Sequence, residues 1–389
     1  MQKSIDRLLT THVGSLIRPP ELVKLLRAKE EGKHGEDREL AACTEAAVAE
    51  VVRTQVRIGL DVVNDGEFGK TISWSRYVME RMSGVSQLPG TDAMPRGVTG
   101  KDRRDFADFY KAYDPSQGLT RMAPWRVSGP IKYIGQEAVQ RDIESLRRAL
   151  RGIKVQEAFM TAVAPASVVP DRDDQYYRSD EEYLFAVADA LNEEYRAIVA
   201  GGFLLQIDDA YLAHYYDMIV PPGSLADYRR WAELRFEALN RALRGIPEER
   251  SRYHVCWGSW NGPHMSDVPL KDIVDLILRV NVGGYLLEMA NPRHEHEWRV
   301  WKSVKLPPGR VLLPGVISHA TNVVEHPELI CERLTRLASL LGREAIIAST
   351  DCGFAQGPFV QRVHPSIMWA KLEVLVAGAR LAGQQLWGR

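Results

Sequence analysis

Charge of one sign is missing from this chain. Its 389 residues carry 50 Lys and Arg against 51 Asp and Glu, a formal net charge of −1, so the broad field with which proteins gather nucleic acids or anionic membranes has no source. Long apolar runs are missing too. Nothing approaches the roughly 18 residues needed to cross a bilayer, and the opening MQKSIDRLLTTH has no basic stretch followed by an apolar core of the kind that directs secretion. A soluble, cytoplasmic protein with no nucleic-acid and no membrane partner is the expectation. Cysteine is scarce, at four residues (Cys43, Cys256, Cys331 and Cys352). A chain of this length needs no disulfide framework, and in a reducing compartment such residues are buried thiols, metal ligands or nucleophiles.

Common nucleotide and hydrolase signatures are absent as well. No two glycines are separated by a single residue, so a G-x-G-x-x-G fingerprint cannot occur, and Gly69-Lys70-Thr71 is preceded at the required position by Asn64, which removes the P-loop. G-x-S-x-G and H-E-x-x-H do not occur either. Nicotinamide chemistry and ATP hydrolysis lose their usual handles.

What is present is a rhythm. Eight short β-branched or apolar runs (Leu8 to Val13, Leu60 to Asn64, Lys154 to Met160, Gly202 to Ile207, Tyr253 to Trp257, Gly284 to Leu287, Val311 to Ile317, Ala345 to Ser349) are each followed by a turn and a segment of helical periodicity. Such alternation predicts an α/β protein, a (β/α)8 TIM barrel formed by residues 1–389 as one catalytic domain. Ser179 with Glu182 signals a helix start before EEYLFAVADALNEEYRAIVA, and Gly201 and Gly202 its stop. From about 74 to 151 prolines, glycines and basic residues break the rhythm, which predicts an elaborated insertion over the barrel mouth.

Chemistry-bearing residues gather at the ends of the predicted strands. In His254-Val255-Cys256 the two ligand-type side chains are two apart, so a strand points them to the same face. Glu288 ends the next strand and Cys352 the last, both at the carboxyl end where barrel enzymes keep their reacting groups. A His, two thiols and a carboxylate suit Zn2+, since sulfur disfavours Mg²⁺ and Ca²⁺. Packed core thiols and a satisfied core histidine are the alternative, and it holds more strongly for Cys43 and Cys331, which sit in helical patterns. Two thiolates and a Glu would put three negative charges on the ion, a poor Lewis acid for water but one that leaves an incoming thiolate nucleophilic, which points to alkyl transfer to sulfur. Ser15, Glu67, Asp208 and Asp209 stand at other strand ends, and carboxylates gathered there would hold an α-ammonium, or else serve as caps and loop charges. His12, His214, His264, His294, His296 and His319 lie near loops, and nothing in the sequence selects one as a proton donor.

Taken in order, Thr11-His12-Val13-Gly14-Ser15, Asn64-Asp65-Gly66-Glu67-Phe68, Gln206-Ile207-Asp208-Asp209, His254-Val255-Cys256, Leu287-Glu288 and Asp351-Cys352-Gly353 resemble the cobalamin-independent methionine synthases, in particular their C-terminal catalytic half and its short single-barrel relatives. The resemblance implies a (β/α)8 barrel with zinc held by His254, Cys256, Glu288 and Cys352, and a homocysteine-like thiol contacted at its amino-acid end by Ser15, Glu67 and Asp208. It also implies a methylfolate donor, as in 5-methyltetrahydropteroyltriglutamate-homocysteine methyltransferases, with methionine as product. This chain departs from that pattern in lacking the second, N-terminal barrel of the long enzymes. The usual Asp-Glu-Pro-Ala reads Asp208-Asp209-Ala210-Tyr211, and the usual Gly-Val-x-Asp reads Gly315-Val316-Ile317-Ser318. Both changes fall where the methyl donor would sit.

Two rival readings remain at this level. Epoxyalkane:coenzyme M transferases, also short relatives, use the same zinc logic on a sulfonate thiol, which would want Arg or Lys where Glu67 and Asp208 stand, unless Lys101, Arg103, Arg104, Arg121 or Arg126 of the insertion supplied it. A non-catalytic zinc scaffold is the other.

Overall fold

The computed structural model describes residues 1–32, 37–71, 73–88, 100–116 and 125–388. Its strands are β1 (Leu9–Thr10), β2 (Val62–Val63), β3 (Val85–Gln87), β4 (Trp125–Val127), β5 (Glu157–Val163), β6 (Arg172–Asp174), β7 (Leu204–Asp209), β8 (Ser251–Val255), β9 (Gly284–Leu287), β10 (Val311–Ile317) and β11 (Ile347–Thr350). Eight of them form one parallel sheet in the order β1-β11-β10-β9-β8-β7-β5-β2. Each predicted run supplies one of these strands. The sheet curls into a (β/α)8 barrel, as the alternation predicts.

Its two end strands are only two residues long, and side chains close the seam between them. Asp61 N donates to Thr10 O at 3.1 Å, while the Asp61 carboxylate accepts from Thr10 N at 2.8 Å and Thr10 Oγ1 at 3.0 Å. Arg7 steadies the other carboxylate oxygen at 2.6 Å.

Helices bury one stripe each against the barrel. Asp180–Ala200 starts as the sequence predicts, with Ser179 accepting from Glu182 N, though the Glu182 side chain answers by accepting from Arg178 N rather than from Ser179. Its Leu184, Val187, Leu191, Tyr195 and Ile198 lie on the barrel side. Each large apolar side chain so buried contributes about 2–3 kcal/mol at most. Cys43 lies within helix Asp37–Ile58 and Cys331 within Pro327–Leu341.

The segment from about 74 to 151 is more ordered than its composition suggests. Its last helix, Gln136–Ala149, packs between Asp37–Ile58 and Asp180–Ala200 and so belongs to the barrel wall. Val139, Ile143 and Leu146 form its apolar stripe, a pattern masked in the sequence by dense surrounding charge. β3 and β4 join β6 in a small separate sheet. Helices Lys101–Asp105 and Ala107–Ser116 lie over the mouth, where Tyr110 OH accepts from Trp260 Nε1 at 3.1 Å, Tyr113 OH accepts from Asn261 N at 2.8 Å, and Asp102 accepts from Met265 N at 2.9 Å. Residues 89–99 and 117–124 of this segment fall outside the described residues. Among the described residues no helix is long and apolar enough to cross a membrane.

Because the Asp61 carboxylate accepts two bonds across the seam, beside the main-chain bond and one from Thr11 Oγ1 to Val62 O at 3.2 Å, Asp61→Ala should lower the unfolding free energy by about 2–3 kcal/mol, the cost of orphaning buried donors. Urea denaturation measures this, and a loss below about 0.5 kcal/mol would show that the seam closes without it.

Candidate functional site

Strand register carries the candidate residues to one rim. Asp208 of β7 stands opposite His254 of β8, and Val255 opposite Leu287 of β9, so Cys256 and Glu288 emerge side by side one residue further on. Cys352 follows β11 by two residues. The ligand-type atoms of His254, Cys256 and Cys352 all lie within 4.8 Å of one another. Their two sulfurs are 3.6 Å apart, and all three residues are buried.

Asp208 aims the imidazole. His254 Nδ1 lies 3.1 Å from Asp208 Oδ1, which accepts its proton and leaves Nε2 facing the Asp351–Cys352 segment, 3.3 Å from Asp351 O. Burial alone would depress this histidine, but the Asp208 hydrogen bond and the charges of Cys352, Asp208 and Glu288 raise it to about 9. The Cys256 thiol is pushed well up by its contact with Cys352, then by burial and by Glu288. Would-be anions share a dry pocket, so each opposes the ionisation of the next.

Glu288 stands outside the three-residue group. Its Oε1 accepts from Trp257 N at 2.9 Å and its Oε2 from Asn291 Nδ2 at 2.8 Å, which holds the carboxylate beside the Cys256 thiol. Burial raises its pKa. Asp351 ties the same loops together, accepting from Met289 N at 2.8 Å and Ala290 N at 2.9 Å.

Ser15, Glu67, Asp208 and Asp209 line one narrow cleft with His254, Cys256 and Cys352. Glu67 is displayed from a strained turn: its φ is +62°, a left-handed value that costs a side-chain-bearing residue about 1–3 kcal/mol. Hydrogen bonds hold it there, from Gly66 N to Asn64 Oδ1 and from Glu67 N to Asp65 Oδ1, both 2.9 Å, and from Arg18 Nη2 to Glu67 O at 2.7 Å. Thr161 Oγ1 donates to Glu67 Oε1 at 2.9 Å and accepts from Lys70 Nζ at 2.6 Å, while Lys70 Nζ lies 3.6 Å from Glu67 Oε2. Gly14, at φ +135°, makes room, since a Cβ there would meet Thr161 Cγ2 at 2.7 Å and Glu67 Oε1 at 2.9 Å. Ser15 Oγ accepts weakly from Ala355 N at 3.4 Å.

Asp209 lines the same cleft, with its carboxylate already engaged. Its carboxylate accepts from Ser167 Oγ at 2.8 Å, Tyr253 OH at 2.9 Å and Leu212 N at 3.2 Å, so both oxygens are engaged within the fold. Basic residues of the insertion are likewise paired away from the cleft: Lys101 with Asp105, Arg103 with Asp114 at 2.7 Å, and Arg126 with Asp173 at 2.7 Å. Arg121 lies outside the described residues.

Three-dimensional packing separates histidines that the sequence could not. His12 is held by Gln55 at 2.8 Å, and His264 and His294 share Asp267 at 3.1 Å each. His319 is buried near His254 and Arg362 with neither ring nitrogen in hydrogen-bond geometry, although the Ser259 main chain approaches it. Burial and then the Arg362 charge depress it to about 3, so it is neutral at physiological pH. Gln356 and Lys70 also escaped the sequence reading, since no motif marks a lone amide or an internal ammonium.

Fold and site together define a (β/α)8 barrel with a His/Cys/Cys cluster and carboxylates at its C-terminal rim. No family model matches the chain. It is 24% identical over 369 residues to 2-hydroxypropyl-CoM lyase of Xanthobacter autotrophicus, covering 88% of this chain and 86% of that one. To methionine synthase of Thermococcus kodakarensis it is 24% identical over 378 residues, covering 97% and 94%. A B12-independent methionine synthase from a Shewanella species, solved with selenomethionine, superposes with a TM-score of 0.71 at 19% identity, covering 98% of this chain and 100% of that one. The chain is thus related over most of its length to the cobalamin-independent methionine synthases that its motifs resemble.

If Asp209 serves the fold, Asp209→Ala should lower unfolding free energy by about 3 kcal/mol through its orphaned donors. Urea denaturation checks this, and unchanged stability would return Asp209 to the substrate-binding set.

Proposed function

We propose that this chain is a zinc-dependent thiol alkyltransferase that methylates a homocysteine-like thiol. The observation that carries the reading is the buried His254, Cys256 and Cys352 cluster opening into the same cleft as Ser15, Glu67 and Asp208. The donor set fits zinc. Bonds of about 2.3 Å at a tetrahedral angle place two sulfurs about 3.8 Å apart, close to the 3.6 Å between Cys256 and Cys352. His254, aimed by Asp208, supplies the nitrogen, and Glu288 beside Cys256 is the fourth ligand in this reading. When bound there, zinc supplies the positive charge that stabilises a substrate thiol as thiolate near neutral pH.

The chain's own groups do the rest. Cys256, Cys352 and Glu288 together carry more negative charge than a divalent ion cancels, which preserves nucleophilicity at the incoming sulfur and disfavours water activation. Glu67 and Asp208 hold an α-ammonium, with Ser15 beside them. A methylfolate is the donor in this reading.

A second reading, alkylation of a sulfonate thiol such as coenzyme M, is favoured by one observation. Arg362 is close enough to Cys352 and Cys256 for their charges to act on it.

The decisive experiment is a screen of thiols against methyl donors and epoxides on zinc-loaded protein. Methylation of homocysteine, lost on chelation and in Cys256→Ser, is the expected outcome, whereas alkylation of coenzyme M but never of homocysteine would overturn the leading reading.

A pH profile tests Glu67. Burial raises its carboxyl to about 7, against the opposing pull of Lys70 and with a further push from Asp208 and Asp65. Ionised Glu67 grips the ammonium, so kcat/KM for homocysteine should fall as pH drops through about 7, and Glu67→Gln should flatten that limb. An acid limb identical in the variant would remove Glu67 from recognition.

A further inference from the structure

One acceptor on a residue that lines the cleft has no donor. Gln356 lies on the loop after Cys352 and lines the cleft with Ser15, Glu67 and Asp208. Its Nε2 donates to Gly353 O at 2.6 Å, and its main-chain carbonyl accepts from Trp74 N at 3.1 Å, so the side chain is fixed at both ends. Turning the amide over would set Oε1 against the Gly353 carbonyl, two acceptors facing each other. With the amide so fixed, Oε1 is shielded from solvent and receives no hydrogen bond. A shielded carbonyl oxygen without a donor costs free energy until something supplies an N–H or O–H.

The neighbouring acceptors each have a partner. Glu67 accepts from Thr161 and faces Lys70, and Asp208 accepts from His254 and, at 2.7 Å, from Gln206 Nε2. The two carboxylates that line the same cleft as Gln356 disfavour an anionic ligand group and favour a cationic donor.

We propose that Gln356 Oε1 is a substrate contact that accepts an N–H from the α-ammonium of an amino-acid thiol, and so sets the preference for such a thiol over an ω-mercapto acid. This rests on the thiol-alkylation reading above and names the residue through which the amine is recognised. An ammonium has three donors, enough to serve Gln356 Oε1, Glu67 and Asp208 together.

Calorimetric titration of zinc-loaded protein with homocysteine and with 4-mercaptobutanoate, its deamino counterpart, tests the assignment in wild type and in Gln356→Met, which keeps length and loses the acceptor. Wild type should prefer homocysteine. The substitution should weaken homocysteine about tenfold, the usual effect of losing a hydrogen bond to a charged group, and leave 4-mercaptobutanoate unchanged. Retention of the full preference in Gln356→Met would overturn the Gln356 assignment and leave the amino-thiol reading standing. Equal binding of both thiols by wild type, or of neither, would overturn both. Zinc stoichiometry and thermal midpoint are compared first, and Gln356→Ala takes the place of Gln356→Met if the latter does not fold.

Discussion

The register of β7, β8 and β9 is the constraint from which the site follows. Pairing of β7 with β8 sets Asp208 against His254, and pairing of β8 with β9 sets Val255 against Leu287 and so brings Cys256 out beside Glu288, because consecutive residues advance together along neighbouring strands. A one-residue slip would turn every one of these side chains to the other face of the wall. Apolar residues facing the helices, Ile207, Tyr253, Val255 and Leu287 among them, therefore fix the chemistry as firmly as they fix the core.

Below the rim, the interior is built to carry charge. Arg252, wholly buried, donates to Gln206 Oε1 at 2.9 Å and to His12 O at 3.2 Å, and stacks on Phe159. Burial lowers it to about 9, with Asp208 and Glu157 opposing that shift. Lys70 performs a similar service for Glu67, and Arg18 anchors its main chain. Carboxylates can be presented in a dry cleft because cations lie one layer deeper.

Much of this was legible in the sequence, for reasons that differ by residue. The eight strands announced themselves because a barrel strand buried on both faces must be a short apolar run. His254 and Cys256 were readable as a pair because alternation is a local property. Asp208 and Asp209 show where such reading stops. Both end the same strand and line the cleft, yet Asp208 turns to His254 and Gln206 while Asp209 is engaged by Ser167, Tyr253 and Leu212, partners 3 to 44 residues away. Helix Gln136–Ala149 was hidden for another reason: its apolar stripe is three residues within a densely charged segment, so composition concealed periodicity. Gln356 and His319 are defined by hydrogen bonds they lack, a quantity that exists only once the chain has folded.

The ladders also divide the barrel into a firm and a slack half. β5, β7 and β10 run for six or seven residues, and β8, which carries His254, pairs along five positions of β7, whereas β1 and β2, the sources of Ser15 and Glu67, pair over two residues each and β11, which precedes Cys352, meets β1 over two. Amide exchange and breathing motions concentrate where ladders are shortest. Ser15, Glu67 and Cys352 thus hang from the slack side of the wall while Asp208 and His254 stand on the firm one, so a ligand lodged in the cleft they line would feel rigid and yielding walls at once.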